Sequence, residues 1–135
     1  MIVTPDGRYL LQQRDDDPRI PFPNAWALFG GQIEPRESPA EALVRELEEE
    51  IGFAPARMTF FTQLLFDGMD FDPGVRHRYY FEVPIEPAVV PTLTQHEGQA
   101  MKLLAPADIY AMAADIIPFD QVAVHLHILM RRRST

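Results

Sequence analysis

Gly30-Gly31-Gln32-Ile33-Glu34-Pro35-Arg36-Glu37-Ser38-Pro39-Ala40-Glu41-Ala42-Leu43-Val44-Arg45-Glu46-Leu47-Glu48-Glu49-Glu50-Ile51-Gly52-Phe53 is the stretch whose reading decides the fold. Ser38-Pro39-Ala40-Glu41 is a complete helix start. The serine can cap, proline suits the first helical position, and Glu41 stands where a reciprocal capping-box bond requires it. Leu43, Leu47 and Ile51 then recur every four residues, with Ala40 and Val44 widening the apolar stripe. Gly52 is a natural stop. The pattern predicts a helix between Ser38 and Gly52 with one face against a sheet.

Glu46, Glu49 and Glu50 fall at i, i+3 and i+4 on that helix. They span roughly 100° of the helical wheel, beside the apolar stripe and not opposite it. Each like-charge pair costs the bare helix about a few tenths of a kcal/mol, which Arg45 relieves in part by pairing with Glu41 or Glu49. Two readings of the trio are open: a solvated acidic face, or a site for a divalent cation such as Mg²⁺ or Mn²⁺, both of which take hard oxygen ligands. The preceding Gly30-Gly31 favours the second, since glycines allow a ligand to approach the backbone and a carbonyl to join the coordination shell. The chemistry that fits is metal-assisted attack of water on a phosphoanhydride.

The whole chain narrows the choice. Its 135 residues, 47% hydrophobic, are enough for one domain with a core. The expectation is one domain over 1–135. Cysteine is absent, so disulfides, thiolate metal sites and a cysteine nucleophile are excluded. No signal peptide or membrane span is read in the sequence, and cytoplasmic residence is expected. A formal charge of −8 argues against a general nucleic-acid binder. Much of that excess is local, because Glu34 to Glu50 holds seven acids and two arginines, net −5. A bound cation would reverse the local sign and admit phosphate. Arg131-Arg132-Arg133 reads as a solvated basic terminus.

Elsewhere, Arg8 to Gln13 reads as a strand after the turn Pro5-Asp6-Gly7. Pro18 to Asn24 is a stiff loop, tacked down by Ile20 and Phe22 and closed by Trp26. Thr59 to Phe66 and His77 to Val83 read as strands joined by the acidic loop Asp67 to Gly74. Val89-Val90 is expected to add a short strand and Met101 to Leu104 another. Asp108 to Ala114 is expected to be a helical turn or short helix. Asp120 to Met130 is the last helix, read from Val122, Val124, Leu126 and Leu129. The order indicates an α+β fold with a mixed, partly antiparallel sheet flanked by helices.

The spacing Gly31, five residues, Glu37, seven residues, then Arg45 to Phe53 resembles the signature of the Nudix hydrolase family at every fixed position. The resemblance extends in element order over nearly the whole chain. It implies an α/β/α Nudix sandwich and hydrolysis of a nucleoside diphosphate derivative: a nucleoside triphosphate, a nucleotide sugar or an ADP-ribose type. By position, Glu46, Glu49 and Glu50 resemble the metal-binding carboxylates, with the Gly31 carbonyl supplementing them. Glu37 and Arg45 resemble the internal pair that orients loop and helix. Glu97 resembles a late glutamate that binds metal or activates water, as Glu49 does in the same scheme, with His96 a neighbouring candidate for proton transfer. Two departures stand out. Phe29 replaces a frequent proline before the glycines, where it is expected to pack, and Met1 to Val3 is shorter than the usual opening strand.

Substrate contacts are expected from Arg14, Trp26, Arg78 and Asp120, each with a bland alternative. Arg14 and Arg78 are either phosphate contacts or solvated arginines, and Trp26 either stacks on a planar ligand or packs. Asp120 either reads a purine edge, as the resemblance implies, or caps the last helix. The partner expected is a small nucleoside diphosphate derivative, with no membrane and no long nucleic acid, for a monomer or homodimer. A noncatalytic nucleotide-binding or regulatory module is the alternative in a different class.

Overall fold

The computed structural model describes residues 1–67 and 74–133. Most of the acidic loop expected over 67–74 lies outside the described residues. The strands are β1 (Ile2–Val3), β2 (Tyr9–Gln13), β3 (Trp26–Ala27), β4 (Thr59–Phe66), β5 (Arg76–Pro84) and β6 (Ala100–Leu104). The helices are α1 (Pro39–Ile51), α2 (Pro106–Ala111) and α3 (Pro118–Arg133).

β2 organises the sheet. One of its edges pairs along its whole length with β6. The other is shared, Tyr9 and Leu10 pairing with β1 and Gln12 and Gln13 with β3. β1 then runs parallel to β5, which pairs antiparallel with β4. The sheet is therefore mixed and mostly antiparallel, as expected. Period-two alternation divides β2 between two cores. Tyr9 and Leu11 join Val124 and Ile128 of α3, whereas Leu10 joins Leu47 and Ile51 of α1. Helices thus cover both faces, the Nudix-like α/β/α sandwich. Gln12 lies two residues beyond Leu10, so its amide enters the α1 side of the sheet.

Helix α1 begins and ends where the sequence predicts. Ser38 accepts the Glu41 N–H at 3.2 Å and Glu41 accepts the Ser38 N–H at 2.8 Å. Gly52 stops the helix at φ +65°, a left-handed backbone that glycine adopts without strain. Phe29 is buried with Leu47 and Ile51, so it packs as expected.

Three expectations need correction. Val89-Val90 adds no strand; Val90–Thr92 forms a 3-10 turn around Pro91, which has no N–H to give to a ladder. α3 begins at Pro118, two residues before the expected start, and its buried stripe is Asp120, Ala123, Val124, His127 and Ile128. Val122, Leu126 and Leu129 are exposed instead. The basic terminus is part of α3 rather than a free tail, with Arg131 bridging Glu82 at 3.2 Å and Arg132 lying over the Tyr110 ring. The buried His127 accounts for the misread face, since its ring is held by the Tyr9 hydroxyl at 2.8 Å and by Glu82 at 2.7 Å. A partnered histidine takes a core position that an apolarity count assigns elsewhere.

Candidate active site

The last turn of α1 and the Gly30-Gly31 turn meet at Glu50. This carboxylate is 5% exposed, with Oε1 accepting the Gln12 amide at 3.1 Å and Oε2 accepting the Gly30 N–H at 3.0 Å. Burial pushes its pKa up to about 7, and the charges of Glu46 and Glu97 add to the rise, against the two hydrogen bonds. A divalent cation beside it would reverse that shift and return the group to its anionic form.

Arg45 ties the loop to the helix. Its Nε and Nη2 meet the two oxygens of Glu37 at 2.9 and 3.1 Å, and Nη2 also donates to the Gln32 carbonyl at 2.9 Å. Nη1 reaches Glu46 at 2.8 Å and Glu49 at 3.3 Å. The partner left out is Glu41, whose carboxylate serves the capping box instead. Glu37 in turn accepts the Glu34 N–H at 2.9 Å, and the hydrogen bonds from Arg45 hold its carboxyl below the ordinary range. A guanidinium fork is suited to this bidentate duty.

Gly31 tests whether the residues fit a metal ion. A β-carbon there would lie 2.4 Å from the Glu46 carboxyl, so only glycine lets that carboxylate approach the backbone. The groups gathered around the turn are carboxylate and carbonyl oxygens, the hard donors that Mg²⁺ and Mn²⁺ take. Among the described residues, no three His, Asp or Glu side chains converge as a ready-made metal cluster. Arg45 draws Glu46 and Glu49 to itself, while Gln12 and Gly30 hold Glu50. The donor set fits a divalent cation, with rotation of these carboxylates as the adjustment required.

Glu97 belongs to the loop that closes over the end of α1. His96 N–H donates to the Glu50 carbonyl at 2.8 Å and Thr94 N–H to the Ile51 carbonyl at 3.3 Å. Gly98, at φ +81°, brings the loop so near β2 that a β-carbon would lie 2.6 Å from the Gln13 carbonyl. Gln95 braces the turn by donating to the carbonyls of Glu97 and Ala100. The Glu97 and His96 side chains are exposed, and the Glu97 charge acts on Glu50.

A cleft of about 790 Å³ runs from the Gly30-Gly31 turn to Asp120. Arg14 and Arg78 line it, whereas Trp26 packs half-buried against the core around Tyr9 and Leu11. Asp120 is not a helix cap, which corrects that reading. It lies at the third position of α3, 3% exposed, and its carboxylate accepts the Leu28 N–H at 2.9 Å and the Tyr80 hydroxyl at 3.0 Å. Burial raises its pKa, against the Leu28 N–H, the Arg78 charge and the Tyr80 hydroxyl. Gln12, Tyr80 and Phe119 are site residues that the sequence did not reveal. For Gln12 a signal existed, since an amide two residues after Leu10 in a buried strand needs a polar partner.

Residues 1–125 match the NUDIX domain. The chain belongs to this family. Members of this family generally use divalent metal cofactors. The chain is 49% identical over 51 residues to the nucleoside triphosphatase NudI of Escherichia coli O1:K1 / APEC. That alignment takes in 38% of this chain and only 36% of the relative. Among solved structures, the MutT protein from Methanosarcina mazei Go1 superposes at a TM-score of 0.76 with 19% identity, over 98% of this chain and 90% of that one. The E. coli ORF135 protein gives 0.73 with 27% identity, over 96% and 86%. These structures share the Nudix sandwich. Among the described residues, no helix is long and apolar enough to cross a membrane.

Proposed function

We propose that this Nudix domain, one unit over 1–135, is a cytoplasmic pyrophosphohydrolase. It would use activated water to hydrolyse a phosphoanhydride bond in a nucleoside diphosphate derivative, with nucleoside triphosphates the first class to test. The observation that carries the reading is the Glu46 carboxylate seated against Gly31, a residue that lines the cleft. Glu46, Glu49, Glu50 and the Gly31 carbonyl would hold Mg²⁺, or Mn²⁺ in its place, with Glu97 approaching from the opposing loop. When bound, the cation supplies polarisation of the phosphoryl oxygens and a lowered water pKa. Either Glu49, the most exposed of the three helix acids, or Glu97 would take the proton from the attacking water. Arg45 and Glu37 position the carboxylates without touching substrate. The resemblance in sequence to a nucleoside triphosphatase supports the choice of substrate class.

The test is a product-resolved screen of nucleoside triphosphates, nucleotide sugars, ADP-ribose and dinucleoside polyphosphates, with Mg²⁺, Mn²⁺ or a chelator. Turnover that requires the metal is the expected result. Folded protein that binds nucleotides saturably and turns over none would point to a noncatalytic module instead.

A further inference from the structure

The two long helices meet solvent in opposite ways. The exposed positions of α1 are Glu41, Glu48 and Glu49, a charged outer face of the ordinary kind. Those of α3 before its closing arginines include Val122, Leu126, Leu129 and Met130, from 39% exposed at Leu126 to 55% at Val122. Gln121 to Met130 carries no charged residue, in a chain of which 24% is charged. On a helical wheel the four side chains fall within roughly 100°, on the other side from Ala123, Val124 and Ile128, which pack on the sheet. Their spacing makes them neighbours, so they form one apolar strip about 12 Å long. Scattered apolar residues at a surface are ordinary, whereas a continuous strip marks a face that meets a partner. Along its edge the Tyr110 and His125 rings lie 4.8 Å apart, with Arg132 over the tyrosine. Tyrosine, arginine and methionine are enriched where proteins associate.

Charge decides what the strip fits. The helix ends in Arg131-Arg132-Arg133, with Arg131 engaged by Glu82 and Arg132 exposed, while the exposed Asp115 stands three residues before its first turn. A second copy of the chain laid antiparallel brings each arginine end toward the acidic end of the other and sets the helix dipoles favourably. Laid parallel, the arginine ends of both copies would collect in one place. The strip is also self-complementary. Leu126 is its midpoint, four residues from Val122 and four from Met130. A two-fold axis there sets Val122 of one copy against Leu129 and Met130 of the other. We infer that α3 is the contact face of an antiparallel homodimer, built on Val122, Leu126, Leu129 and Met130. Among the described residues, α3 lines the cleft only at Phe119, Asp120 and its first residue, Pro118, lines the neighbouring hollow beside Phe22. The dimer therefore leaves the proposed active site open and does not depend on the hydrolase reading. One helix face covers less than the ~800 Å² per partner of a standard interface, so the dimer should dissociate at roughly micromolar concentration.

Sedimentation equilibrium of the whole chain across the micromolar range tests this without substrate or metal. The mass should rise from 15.4 kDa toward twice that value. Leu126→Glu sets two carboxylates beside the axis and should weaken association about 100-fold or more. Its circular dichroism should be unchanged, because the position is exposed. Orientation is read by cross-linking, since the chain has no cysteine of its own. Leu126→Cys should form a disulfide-linked dimer on oxidation. Val122→Cys should not do so alone, but should when mixed with Leu129→Cys. A wild type that stays at 15.4 kDa throughout overturns the assignment, and so does a dimer that Leu126→Glu leaves intact. Self-linking of Val122→Cys would overturn the antiparallel arrangement. A monomeric wild type that binds vesicles of anionic phospholipid, and loses that binding in Leu126→Glu, would give the strip to a lipid surface instead.

Discussion

The Glu46 carboxylate rests against the α-carbon of Gly31, 2.4 Å from where a β-carbon would stand. One methyl group at that point displaces a proposed metal ligand without touching the apolar core. Gly31→Ala should therefore lower kcat/KM about tenfold or more and raise the Mg²⁺ concentration needed for half-maximal rate. Thermal unfolding without metal should change little. Parallel metal titrations and melting curves check both halves, and a normal metal requirement would separate Gly31 from the site.

Glu49→Gln should leave the fold intact, because it removes one of several crowded like charges from an exposed position. If Glu49 handles a proton of the attacking water, kcat falls by about 10² or more while nucleotide binding persists. The same substitution at Glu97, measured side by side, identifies which carboxylate carries that step. The larger loss in kcat marks the base.

Arg45 grips Glu37 with two nitrogens, a geometry that an ammonium cannot copy. Arg45→Lys should lower activity about 10- to 100-fold although the charge is retained. Recovery of full activity in the lysine variant would mean that charge alone is enough.

The same pair sets a pH dependence of stability. Hydrogen bonds from Arg45 hold the folded Glu37 carboxyl below its ordinary value of 4.5. Unfolding therefore raises its pKa, and the stabilisation is complete above about that ordinary value and disappears as pH falls through the lower, folded one. Comparing urea midpoints of wild type and Glu37→Gln should show a constant gap above pH ~5 that narrows in more acid solution.

Asp120 binds two elements to α3 through Leu28 and Tyr80. Asp120→Ala leaves a buried N–H and a buried hydroxyl without their acceptor, a loss of about 1–3 kcal/mol by urea unfolding. A loss of activity with unchanged stability would return Asp120 to the role of base reader.

Helix α1 was legible in the sequence because everything that makes it is local: a cap, a proline, an apolar repeat and a stopping glycine. The acidic trio and its register with Gly31, Glu37 and Arg45 are local in the same way. Tyr80 and Phe119 were not legible, because each acquires its role from a residue far away in the chain. Asp120 shows the difference most plainly. Within its own helix it resembles a cap, and the Leu28 N–H and the Tyr80 hydroxyl make it a buried strut.

By itself, then, the sequence determined the helix, the family and the carboxylates that face the Gly30-Gly31 turn. Short-range spacing dictates which side chains share a helix face. The tertiary structure alone decided that Gln12 and Gly30 hold Glu50, that Asp120 is occupied, and that the Arg78 guanidinium lies over the Phe119 ring. Those relationships depend on sheet register and on which burial each polar group must satisfy, and neither is written in the residues nearby.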